Sequence, residues 1–121
     1  MLENESPNQI HIQNLIAVAF ADGNIDDDEE EFLFDMAEDY GISRGTVKGL
    51  LKNADKLEFL VPEDPEDREE QLVNIVFMSM LDGDIHENEY ALCLDVAKKL
   101  ELTEKDLNEA IALTKKLWEE A

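Results

Sequence analysis

The chain has 121 residues and an apolar content of 44%, enough for one domain that buries a core and folds by itself. Its 31 acidic and 10 basic residues give a formal charge of −21, which disfavours binding to nucleic acid and to anionic lipid. The single cysteine, Cys93, excludes an internal disulfide framework, and neither a secretory signal nor a membrane-spanning run is visible. We therefore expect a soluble, cytoplasmic protein that binds cations or basic partners.

The first half of the chain predicts helices with clear start and stop signals. Ser6 followed by proline has the pattern of an N-cap and first helical residue, so the first helix begins there. Apolar residues surround this helix almost completely, which is typical of a buried helix. Gly23 ends it, and Asp26 with Glu29 has the capping-box spacing that starts a second helix, which runs to about Tyr40.

The remaining elements are also helical. Ser43 caps a third helix, and a linker with several apolar residues then joins the halves and is expected to lie against the core. Asp64 followed by proline starts a fourth helix that resembles the first. A fifth helix follows the second Asp-Gly turn, and Thr103 caps a sixth whose predicted inner face reaches Leu117 and Trp118. The predicted fold is all-α, with six to seven helices in a single domain.

One sequence pattern occurs twice at a constant offset. The stretch 21–29 contains Asp-Gly-x-Ile-x-x-x-Glu, and the stretch 81–89 contains it again. Around these turns, residues 12–51 align with residues 72–111 without a gap. We interpret the chain, residues 1–121, as one domain of two similar halves formed by internal duplication. Such a duplication would place the two turns as a pair about an approximate twofold axis.

The two turns share part of the EF-hand calcium loop. The glycine, isoleucine and final glutamate match, but the first and third ligand positions fall on Val18 and Phe20 in one copy and on methionines in the other. No side-chain oxygen is available there, so a complete EF-hand is not expected. Two half-loops facing each other would still supply carboxylates for one divalent cation, with calcium the first choice. The candidate metal ligands are Asp22, Asp26, Glu29, Asp82, Asp84 and Glu89, with His86 beside them.

A purely structural interpretation of the turns competes with the metal site. Gly23 would end a helix, Asp26 would cap the next, and the acidic run that follows would be a solvated helix start favoured by the macrodipole. The second copy favours the metal, because His86 replaces the capping aspartate while Asp82, Asp84 and Glu89 remain. His86 would either donate to a nearby carboxylate or bind the metal, but a lone surface histidine is the commoner case.

Enzymatic functions find little support in the sequence. Neither histidine follows a glutamate by three residues, as a di-iron bundle requires, and no nucleophile elbow, phosphate-binding glycine loop or zinc spacing occurs. Cys93 falls on an apolar helix face at the position matching Leu33, which predicts a core residue. We therefore expect a protein that is not an enzyme and has no organic cofactor.

The duplicated motif resembles a known family. The segments Ala21–Glu29 and Leu81–Glu89, each between two buried helices, are similar to the tellurite-resistance TerB-like domain, and the resemblance covers residues 8 to about 118. It implies an all-helical fold of two similar halves, an acidic cluster that binds divalent metal, a link to tellurite and other stress responses, and use beside J-domain co-chaperones. Two residues depart from the pattern: Leu81 stands where alanine is expected, and His86 replaces an acid.

The sequence thus leaves two functional hypotheses. The first is an acidic helical domain with a divalent-cation site at the two turns and a role in stress response. The second is a protein-interaction module whose acidic surface binds a basic partner without metal. A calcium-dependent change in melting temperature at physiological ionic strength would separate them.

Overall fold

The structure is a computed structural model, which describes residues 6–120 apart from the side chain of Asp22. Within this range the chain forms six α-helices and no strand, so the predicted all-α fold class is confirmed. None of the described helices is long and apolar enough to cross a membrane. The helices are α1 (Pro7–Ala19), α2 (Asp27–Asp39), α3 (Arg44–Lys52), α4 (Pro65–Ser79), α5 (Glu87–Lys99) and α6 (Glu104–Glu120).

The helix starts follow from the capping residues. The first N–H groups of a helix have no partner within it, and a side-chain oxygen at the N-cap supplies one. Ser6 and Asp64 each accept a backbone N–H from the first turn of α1 and α4, and a proline follows each of them. Ser43 and Thr103 accept the corresponding N–H of α3 and α6 at 3.1 Å. These four predicted starts are confirmed.

The chain divides into two compact units, Met1–Pro62 and Glu63–Ala121. The first unit contains α1, α2 and α3, and the second contains α4, α5 and α6. Within each unit every helix contacts the other two. The internal duplication and the interpretation of the whole chain as one domain stay predictions.

The core of each unit is built on its first helix. α1 and α4 bury residues on most of their surface, as their nearly continuous apolar pattern predicts. Cys93 on α5 is fully buried, like Leu33 on α2, and its Sγ lies 3.4 Å from the hydroxyl of Ser79. Burial raises the pKa of the Cys93 thiol, which keeps it protonated and of low reactivity. The prediction that Cys93 is a core residue is confirmed.

The linker at the end of the first unit lies on α1. The fully buried side chain of Asn14 donates to the carbonyl of Leu60 at 2.7 Å and accepts the N–H of Leu60 at 2.8 Å. Gln13 donates to the carbonyl of Glu58 at 3.2 Å. The expectation that the linker packs against a core is therefore correct for this segment, although Val61 is 43% exposed.

The end of α6 differs from the prediction. Its buried face stops at Thr114, while Leu117 is 44% exposed and Trp118 is 36% exposed. Phe77 stacks on Trp118 with ring centroids 6.4 Å apart, so Trp118 is covered on one side. The apolar pattern continues along α6 beyond the region where other residues cover it, and the predicted inner face is therefore too long.

Candidate functional site

The first Asp-Gly turn is built as a helix stop followed by a helix start. After α1 a short 3₁₀ turn, Phe20–Asp22, leads to Gly23, which adopts a left-handed φ of 93°. Glu29 donates its N–H to Oδ1 of Asp26 at 2.8 Å, and Asp26 donates its N–H to Oε1 of Glu29 at 3.0 Å. Both predicted metal ligands thus cap α2. The side chain of Asp22 lies outside the described part of the chain, so its role stays a prediction.

The second turn repeats the backbone but uses its side chains differently. Gly83 has a φ of 99°, and the N–H of His86 donates to Oε1 of Glu89 at 3.0 Å. The imidazole of His86 does not cap α5 in the way that the side chain of Asp26 caps α2. Its Nε2 lies 2.8 Å from Oδ2 of Asp82, while Oδ1 of Asp82 accepts the N–H of Asp84 at 3.3 Å.

The contact between His86 and Asp82 shifts both titrations. The hydrogen bond from His86 lowers the pKa of Asp82, and the bond to Asp82 raises the pKa of His86. The charges of Glu89 and Asp84 raise the pKa of His86 further. A protonated imidazole has no lone pair for a metal, so a metal bound to His86 would have to displace this ion pair.

The structure therefore brings together only parts of the predicted ligand set. Asp26 and Glu29 meet through the capping box in the first unit. In the second unit, Asp82 and Glu89 both bond to His86. Among the described side chains, no group of three or more His, Cys, Asp or Glu is arranged to hold a metal ion. The cation site shared by both turns stays a prediction.

A second acidic feature lies along α2. We call it the α2 acidic face and define it as Asp27, Glu30, Glu31 and Asp35, all of which are exposed. Together with Phe34 and Arg44 these residues line an open depression of about 400 Å³. The guanidinium of Arg44 lies 4.2 Å above the ring of Phe34. The sequence pattern suggested only a solvated helix start here.

A groove in the second unit was not predicted from the sequence. It lies between α4 and α6 and has a volume of about 220 Å³. Apolar residues line its floor and mouth, and the carboxylates of Glu69, Asp106 and Glu109 also line it. The residues of this α4–α6 groove are Glu69, Leu72, Val73, Leu102, Asp106, Glu109, Ala110 and Leu113. The one sequence signal for it is the i, i+3 spacing of Ala110 and Leu113 beside acidic residues on the same helix.

His11 belongs to no sequence motif, but the structure buries it against Tyr40. It is 5% exposed, and its ring stacks on Tyr40 with centroids 4.5 Å apart and an interplanar angle of 15°. Burial lowers the pKa of His11 to about 4. The imidazole is therefore neutral at physiological pH and contributes to packing.

Comparisons with known protein families, with curated proteins and with solved structures find no match for this chain. The resemblance to the TerB-like family stays a prediction from the duplicated motif. The non-enzymatic character, the divalent cation as cofactor and the role in stress response also stay predictions.

Proposed function

We propose that this chain is a non-enzymatic acidic helical module that binds a basic segment of a protein partner. The observation that carries the proposal is the α2 acidic face, where exposed carboxylates recur along one helix. The formal charge of −21 adds a long-range attraction for a basic partner and increases its rate of association.

The spacing of the acids on α2 favours a role in binding over a role in stability. Asp27 with Glu31, and Glu31 with Asp35, are like-charged pairs at i, i+4, and each such pair destabilises a helix by about 0.2–0.5 kcal/mol. The macrodipole favours acids only in the first turn, so it does not compensate Glu31 and Asp35. Lysine or arginine side chains of a partner would relieve this repulsion, which makes binding favourable at the same residues.

Fluorescence anisotropy with a labelled lysine-rich peptide tests the proposal. The double variant Glu31→Gln/Asp35→Asn should bind the peptide several-fold more weakly than the wild type and with a smaller dependence on salt. The same variant should be more stable than the wild type in urea by a few tenths of a kcal/mol, because the like-charge pairs are gone. Loss of affinity with a gain in stability is the signature of a binding surface.

The matched control removes two exposed acids elsewhere, Asp55→Asn and Glu120→Gln. It has the same net charge as the first variant, so it should retain most of the affinity. An equal loss in both variants would show general attraction by the net charge without a defined surface. No binding of the lysine-rich peptide by the wild type would remove the proposed function.

Divalent-cation binding is the second proposal, with calcium as the first choice. It is favoured by the concentration of Asp82, Asp84 and Glu89 around one turn of the second unit. A cation that binds only the native state would stabilise it by about 2.7 kcal/mol at 100 times Kd. The role in tellurite and other stress responses, which the family resemblance implies, belongs to this proposal.

Calorimetric titration with calcium at matched ionic strength tests it. Asp22→Asn/Asp82→Asn should abolish calcium binding, whereas Asp27→Asn/Glu30→Gln should leave it nearly intact. Equal calcium binding by the two double variants would indicate diffuse screening by the acidic surface and would remove the site.

A further inference from the structure

We propose that the α4–α6 groove binds an amphipathic helix of a partner protein, with leucine-like side chains in the groove and basic side chains along its rim. The inference rests on the proposed function, which is the binding of a basic segment of a partner protein. It adds a second binding surface and specifies that the segment bound there is an amphipathic helix. It concerns the second unit alone, whereas the α2 acidic face belongs to the first.

The groove has the size and the lining of an anchor site. Leu72 and Ala110 are buried at its floor, and Leu113 is 44% exposed at its mouth. A cavity of about 150 Å³ with apolar walls holds a benzene molecule, so a groove of about 220 Å³ has room for at least one leucine or isoleucine side chain. Covering Leu113 would remove an apolar side chain from water, which favours an apolar occupant.

The rim selects the charge of the occupant. Glu69 stands on α4, while Asp106 and Glu109 stand on α6, and no basic side chain lines the groove in the described part of the chain. Thr103 donates both its N–H and its hydroxyl to Asp106, which lowers the pKa of this carboxyl and holds it charged in a fixed position. An acidic occupant would face three carboxylates. A second copy of this chain, with a charge of −21, is disfavoured for the same reason.

The spacing along α6 points to a helical occupant. Leu113 is followed one turn later by Leu117, which is also 44% exposed, so the apolar strip continues beyond the groove. The groove residues of α6 together with Leu117 run from Asp106 to Leu117, about 16 Å along the helix axis, which matches about three turns of a bound helix. Apolar anchors at i, i+3, i+4 and i+7 are how amphipathic helices lie in such grooves. Lys115 and Lys116 stand between Leu113 and Leu117 along α6, so we place the basic side chains of the occupant over the first half of α6, beside Asp106 and Glu109.

A synthetic peptide of leucine and lysine at helical spacing, labelled with fluorescein, is the probe. Two matched peptides replace either its lysines by glutamate or its leucines by serine. Wild-type protein should bind the leucine–lysine peptide best, and Leu113→Ser or Glu109→Lys should each weaken this binding about tenfold, equal to about 1.4 kcal/mol. Leu81→Ser is the apolar control, because Leu81 is 37% exposed in the same unit, and Glu119→Lys is the charge control; both should bind like the wild type.

The outcomes separate the groove from the proposed function. Unchanged affinity in Leu113→Ser and Glu109→Lys would overturn the groove as the site while leaving a basic-segment module. No binding of either lysine-containing peptide by the wild type would overturn both. Equal binding of the glutamate peptide would overturn the rim as the selective element. Sedimentation equilibrium completes the test, since dimers of the wild type that Leu113→Ser abolishes would assign the groove to a second copy and overturn the proposal.

Discussion

His11 should make the stability of the protein depend on pH in a way that its environment predicts. Burial lowers the pKa of His11 from 6.5 to about 4 in the folded protein, while the unfolded chain keeps the ordinary value. Between these two pKa values the unfolded chain binds more protons at this residue than the native state. Acidification across that range therefore favours unfolding, and stability is regained as the pH rises towards neutrality.

The size of the effect follows from the two pKa values. Over the whole pH range between them, a pKa difference of about 2.5 lowers the free energy of unfolding by about 3 kcal/mol. Acidification from about pH 7 to about pH 5 should lower the free energy of unfolding by about 2 kcal/mol, since at about pH 5 the unfolded histidine is almost fully protonated and the folded one is still neutral. A loss of this size is a considerable part of a typical unfolding free energy of about 5–15 kcal/mol.

Urea unfolding of the wild type and His11→Phe at these two pH values measures the contribution. Phenylalanine keeps an aromatic ring beside Tyr40 but cannot titrate. The carboxylates are the same in both proteins, so their titration cancels in the comparison. The wild type should lose about 2 kcal/mol more than the variant on acidification. Equal losses, or an NMR titration of His11 with a pKa near 6.5, would refute the reasoning.

Two further predictions concern side chains that the structure pairs. Asn14→Ala should destabilise the protein by about 2–4 kcal/mol in urea, because it leaves both backbone groups of Leu60 without their partner, whereas Asn53→Ala on an exposed helix end should cost under about 1 kcal/mol. Equal losses would mean that the linker bonds are weak. The ion pair of Asp82 and His86 should be complete between their two folded pKa values: its contribution is lost as the pH rises through the raised pKa of His86 and as it falls through the lowered pKa of Asp82. NMR titration should show a lower pKa for His86 in Asp82→Asn, and an unchanged pKa would contradict the pairing.

The pairing of His86 also bears on the cation hypothesis. A metal at the second turn would compete with an imidazolium for Asp82, so calcium binding should weaken where His86 is protonated and strengthen as the pH rises through its pKa. Calcium titrations of this protein should therefore be carried out at one pH below and one pH above the pKa of His86.

The sequence by itself determined the features that depend on neighbouring residues. The caps at Ser6, Ser43 and Asp64, and the capping box of Asp26 with Glu29, involve hydrogen bonds across two or three residues. Helix starts, helix stops and the all-α class are therefore visible in the pattern. The spacing of the apolar residues also indicates which helices are buried, since α1 and α4 have almost no polar face to expose.

Only the tertiary structure decided which side chains are covered by distant parts of a unit. The buried amide of Asn14 bonds to Leu60, and His11 stacks on Tyr40, although nothing in the local sequence indicates either contact. The exposure of Leu117 has the same origin, because an apolar spacing fixes the face of a helix but not the point at which its cover ends. The α4–α6 groove exists for this reason: it is space left between two helices, and a one-dimensional pattern contains no information on how closely two surfaces meet.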